Sequence, residues 1–159
     1  MRAPWRSVTL RRVMRTGALA GVVAGVIGWA IALGGCGEPD PDQPCVTLNP
    51  DCSPLIDPPR YSAIFAQIFQ PNCSTAGTCH GPPMPKAGLS FQDSAEAYEL
   101  LLGTRGGRAR VLPDNPGCSI LAQRLLSNDP GFRMPPGTGL TGPQLCSVVK
   151  WLAAGAPNN

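Results

Sequence analysis

The stretch NCSTAGTCHG, residues 72–81, holds the only histidine of the chain, His80, directly after Cys79, with Cys73 six positions upstream. A cysteine followed at once by histidine, behind a leading cysteine, is the pattern that tethers haem covalently. The thiols reach its vinyl groups and the imidazole meets its iron. The ordinary spacing is C-x-x-C-H, whereas this chain has C-x5-C-H. The leading cysteine therefore moves from about one helical turn before its partner to about two. Ser74, Thr75, Ala76 and Gly77 are small enough to let the added residues bulge, which would keep Cys73 on the same face as Cys79.

An iron held by His80 on one side needs a soft or imidazole donor on the other, and there is no second histidine. Met1 and Met14 lie in an N-terminal leader, which leaves Met84 and Met134. Met134 sits in FRMPPGTGLTG, where Pro135 disfavours helical geometry at the methionine and makes the loop stiff. Met84, in GPPMPKAG, is only four residues past His80, too close to cross a porphyrin. A His80/Met134 ligand pair raises the reduction potential and suits electron transfer. Arg105, Arg108 and Arg110 lie in RGGRAR, where each is either a partner for haem propionates or a solvated charge. Trp151 reads as core packing rather than an electron conduit.

Residues 1–35 read as a signal peptide: five arginines, no acid, an apolar run from Ala18 to Leu33, then small residues. The ending Leu33-Gly34-Gly35-Cys36 resembles a lipobox, with Cys36 as the acylated residue. The run is short for a membrane span of about 20 residues. Beyond this leader the formal charge changes from +3 to −2, so the basic balance belongs to targeting and offers nothing to nucleic acid. Residues 36–60 are rich in Pro and Asp and read as a semi-extended, disordered tether. In an oxidising compartment the remaining cysteines can cross-link. Local pairing, Cys45 with Cys52 and Cys118 with Cys146, is expected, although order alone does not fix connectivity.

The folded part is expected over residues 61–157. Ile64, Phe65, Ile68 and Phe69 have helical spacing, with Pro71 as the stop. Asp93 and Glu96 open a short helix that ends at Gly103. A third helix carries Cys118, Leu121, Ala122 and Leu125 on one face. The last opens with Thr141 and Gln144, buries Leu145, Val148, Val149 and Leu152, and ends near Gly155. No segment alternates, so the expectation is an all-α domain with long Pro/Gly-rich loops.

A helix leading into Cys-His, then CHGPPMPKAGLSF, RMPPG and a terminal VVKWLAAGAP helix resembles class I cytochrome c domains, in the form found in myxobacteria and planctomycetes. The resemblance covers residues 61–157. It implies one covalently bound haem c, with Cys73 and Cys79 as thioether positions, His80 as proximal ligand and Met134 as distal ligand. A monohaem electron carrier follows, not an enzyme, since both axial positions are taken. Its partners are then redox proteins of the envelope and the membrane, through the lipid on Cys36. By resemblance to enteric lipoproteins, Gly37 rather than aspartate after that cysteine favours the outer membrane over the inner, facing the periplasm or the cell surface. Two other readings of the same residues stay open. In one, Cys73 and Cys79 form a disulfide in a haem-free lipoprotein that serves as an envelope binding module. In the other, Cys73, Cys79 and His80 hold zinc with a fourth ligand, although zinc sites favour tighter C-x2–4-C spacing.

Overall fold

The computed structural model describes residues 43–159, and the leader and Cys36 lie outside the described residues. Helix α1 spans Tyr61–Ile64, widens to a π-helical turn at Phe65–Phe69 and continues as α2, Gln70–Cys73. Pro71 was expected to end this helix and does not. It has no N–H to give and would crowd the carbonyl four residues back. The π turn, in which the Gln70 N–H bonds to the Phe65 carbonyl, relieves that conflict and carries the chain on to Cys73. Helix α1 receives no side-chain cap from Arg60, its N-cap residue. Its first two N–H groups instead donate to Asn159, to Oδ1 from Tyr61 at 2.8 Å and to the backbone oxygen from Ser62 at 2.9 Å.

Helix α3, Ser94–Leu102, is capped by Asp93, whose Oδ1 accepts from the Glu96 N–H at 2.9 Å. The all-α expectation fails directly after it. Strands β1, Thr104–Arg105, and β2, Arg108–Ala109, pair antiparallel, with Thr104 opposite Ala109 and Arg105 opposite Arg108. The two residues between them, Gly106 and Gly107, have φ of 56° and 76°, the left-handed pair that a two-residue hairpin turn requires. The domain is therefore a mixed α/β fold rather than an all-α one. A 3₁₀ turn at Pro116–Cys118 precedes α4, Ile120–Leu126, so Cys118 sits before the helix rather than on it. Helix α5, Gly142–Ala153, opens with the expected Thr141/Gln144 capping box.

The core forms where α5 crosses α1 and the π turn. Trp151 is fully buried, with its ring centroid 5.6 Å from that of Tyr61 and 6.2 Å, edge-on, from that of Phe69. Its indole N–H donates to the Pro157 carbonyl at 2.9 Å. Tyr61 stacks edge-on to Tyr98 at 4.9 Å and donates its hydroxyl to the Ser94 carbonyl. Burial pushes the Tyr61 phenol up to about 12.

Residues 43–60, read as part of a loose tether, have no regular element but lie against the domain. The Val46 N–H bonds to Gly117, the Leu55 N–H to Pro143, and the Ile56 N–H to the Ser147 hydroxyl, with Ile56 itself buried. Gln123, buried on α4, donates its amide to the carbonyls of Gln43 and Pro44. Two disulfides clamp this strap, Cys45–Cys118 and Cys52–Cys146. The local pairing expected of the four cysteines is thus replaced by two long-range bridges, because folding brings the strap to α4 and α5 rather than back on itself. Among the described residues, no helix is long and apolar enough to cross a membrane.

Candidate functional site

The structure absorbs the long Cys-to-Cys spacing in a closed excursion. Helix α2 ends at Cys73, and the Ser74 N–H and hydroxyl both bond to the Gln70 carbonyl. The chain then loops out through Gly77, φ 75°, and returns with the Cys79 N–H on the Thr75 carbonyl. The His80 N–H closes the loop on the Cys73 carbonyl at 2.9 Å. Gly81 seals it from below: a Cβ there would lie 2.2 Å from the Ser74 carbonyl oxygen, so only glycine fits.

Both thiols are free, and both line one cavity of about 1070 Å³ including its open mouth. Burial, reinforced by Cys79, pushes the Cys73 thiol up to about 12, so it stays protonated at neutral pH. His80 and Met134 line the same cavity, with Phe69, Leu89, Phe91, Leu101 and Leu125 among its apolar walls.

The imidazole of His80 is oriented. Its Nδ1 lies 3.0 Å from the Lys86 carbonyl and 3.1 Å from the Leu89 carbonyl. Two carbonyls can only accept, so Nδ1 carries the proton and Nε2 keeps its lone pair. Burial lowers the pKa of the ring, which holds that tautomer neutral. The Phe91 ring stands edge-on to it at 5.7 Å, and the Phe91 N–H donates to the His80 carbonyl. Lys86, in the 3₁₀ turn Lys86–Gly88, and Leu89, directly after it, thus supply the carbonyls that aim the histidine.

Other residues singled out in the sequence separate. Met84 is 78% exposed and lies off the cavity. Arg105 and Arg110 line it, but Arg108 does not; its guanidinium donates to the Gln123 side-chain oxygen. Arg110 bridges two elements, donating to the Leu100 carbonyl at 3.0 Å and the Ala87 carbonyl at 2.8 Å. Trp151 is core and not lining. The residue that sequence reasoning missed is Arg124, which is buried, lines the cavity and stacks on Phe132. Its signal was present: in ILAQRLL it falls on the same helical face as Leu121 and Leu125, a charge at a core position. Among the described residues, no group of three or more His, Cys, Asp and Glu side chains gathers as a metal site, which leaves the zinc reading without support.

Residues 77–137 match the model of the family described as Planctomycete cytochrome C. The match runs from within the excursion to the end of the MPPG loop and supports a cytochrome c-like domain there. It includes Cys79, His80 and Met134, and it begins after Cys73. No curated protein and no solved structure matches the chain.

Proposed function

We propose that the protein is a membrane-anchored c-type cytochrome that carries single electrons in the cell envelope. Cys79 and Cys73 are the attachment thiols, His80 the proximal ligand through Nε2, and Met134 the distal ligand. The observation that carries this reading is the His80 imidazole, held at Nδ1 by two carbonyls with the Nε2 lone pair left free, in one apolar cavity with two unpaired thiols and a thioether. Nitrogen, sulfur and hydrophobic walls are the donor set and surroundings that haem requires. Once bound, haem supplies a one-electron couple, and His/Met ligation places it in the range of electron carriers.

The chain's own part is positional. The Lys86 and Leu89 carbonyls fix the ring plane and tautomer of His80. The loop closed by His80 and Cys73 keeps both thiols on one cavity despite the three added residues. With both axial positions filled, no open site is left for substrate, so the reading is a carrier rather than an enzyme. Cys36 is the lipid attachment point, and envelope redox proteins are the partners. A disulfide between Cys73 and Cys79, the premise of the haem-free binding module, is absent here, as both are free.

The test is a pyridine haemochrome spectrum of the full chain, matured by export with cytochrome c assembly factors and extracted with acid acetone. Retained haem with a band shifted as for two thioethers is expected. An intermediate band would mean a single thioether, which Cys73→Ala and Cys79→Ala would then place, and haem lost to the solvent would end the covalent reading.

A further inference from the structure

The cavity-lining loop that carries Met134 has no regular element, yet it is tied to α4 through Arg124. Met134 donates its N–H to the backbone carbonyl of Arg124 at 3.0 Å. The side chain of the same arginine turns back along the loop. Its Nη1 donates to the Phe132 carbonyl at 3.1 Å, and its guanidinium carbon lies 4.1 Å from the centroid of the Phe132 ring. Arg124 therefore grips the loop at two points, on either side of Arg133. The loop also makes bonds of its own, with the N–H groups of Phe132 and Arg133 on the Asp129 carbonyl at its entry and the Arg133 guanidinium on the Gly137 carbonyl beyond Met134, but none of these ties it to a helix. Burying a guanidinium is costly unless it is partnered. A stacked aromatic and a carbonyl on the loop are partners that hold only while the loop stays in place.

We infer that Arg124 is the positioning residue for Met134, setting the reach of the thioether into the cavity. This rests on the proposed role of Met134 as distal ligand. It separates Arg124 from a plain anion partner at the rim of the cavity: its influence on the site runs through the methionine loop. Lysine at this position would keep the charge but lose the planar stack and the geometry of the fork.

The experiment uses the haem-loaded full chain with Arg124→Met and Arg124→Lys, and reads amide exchange along the chain. At Met134, exchange is expected to quicken at least tenfold in Arg124→Met and by less in Arg124→Lys, with α5 amides unchanged as the control for folding. The thioether-to-iron absorption band of the oxidised protein should fall by at least half in Arg124→Met. The shift in reduction potential caused by Arg124→Met should vanish in a Met134→Ala background. Exchange at Met134 within twofold of wild type in both variants would overturn the inference. So would a potential shift that survives in the Met134→Ala background, which would make Arg124 an electrostatic neighbour of the bound group. If Arg124→Met fails to fold, Arg124→Lys decides by the same readings. A wild-type protein that carries no haem would sink the cytochrome reading instead, and the exchange comparison would still decide whether Arg124 holds the loop.

Discussion

Replacing Cys52 and Cys146 together by alanine removes one of the two bridges that clamp the strap. In the chain-entropy model a bridge stabilises by shrinking the unfolded ensemble, in proportion to the logarithm of the loop it closes. Taken alone, its separation of 94 residues would be worth about 4.7 kcal/mol. The other bridge, Cys45–Cys118, already short-circuits that loop. With it in place, the remaining path between Cys52 and Cys146 runs through the short 45–52 and 118–146 segments, roughly 35 residues, and the worth falls to about 3.8 kcal/mol. The same path governs removal of Cys45 and Cys118. The two pair variants should therefore lose nearly equal stability, although their own loops differ in length. Removing both bridges should cost about 8 kcal/mol, comparable to the whole stability of a small domain. Equilibrium urea melts would read each single loss as a midpoint shift of roughly 2 M. A difference above about 2 kcal/mol between the pair variants would refute the reasoning, since loop topology would not then set the cost. Thiol titration in denaturant checks the connectivity: two extra thiols in the first variant would mean that Cys45 and Cys118 are not joined.

Three further outcomes follow from single residues. Tyr61 has its phenol raised to about 12 by burial, so folding favours the neutral form. Stability should be full below the ordinary phenol pKa of about 10 and fall by on the order of 2 kcal/mol as pH rises from there through 12. Alkaline melts should show a shallower slope in Tyr61→Phe than in wild type, the remaining slope coming from Cys73, whose buried thiol is also raised. Gly81→Ala drives a Cβ into the Ser74 carbonyl, and melts should show a loss of about 1–3 kcal/mol; an unchanged melt would mean that the excursion shifts freely. Trp151→Ala empties the place where Tyr61 and Phe69 meet α5 and should cost about 3–5 kcal/mol by the same measurement.

The parts of this fold legible in the sequence are those with a local signature. The Asp93 cap and the Thr141/Gln144 box need only residues three apart, and both stand where the spacing puts them. The hairpin had a signature too, Gly106-Gly107 between arginines, but strands of two residues are too short to alternate. Pro71 shows a strong local breaker overruled, as the π turn ahead of it lets the helix continue with Phe69 buried. The strap forms no regular element, as its composition suggests, yet its attachment depends on partners 73 and 94 residues away, which composition cannot report. In the site, cysteines, histidine and methionine could be named because their chemistry is in their side chains. The groups that orient His80 could not, because they are backbone carbonyls of a turn, and any residue carries those.

The cavity also bears on why so small a domain needs two bridges. Phe69, Phe91, Leu101 and Leu125 belong to the continuous core and at the same time form the cavity wall. The core is therefore hollow on one side, and wall atoms that face empty or solvated space lose the contacts that would otherwise stabilise them. Under the proposed function, a bound haem fills that space and acts as the missing part of the core, so attachment and stability are linked. The bridges and the strap then keep the unloaded chain folded enough to present Cys73, Cys79 and His80 together. Urea melts of loaded and unloaded full-length protein, both with intact disulfides, should differ by several kcal/mol in favour of the loaded form. Reducing the disulfides should unfold the unloaded form first. Equal midpoints would instead mean that the cavity is a surface cleft whose wall is stable when bare, and the coupling between filling and folding would not exist.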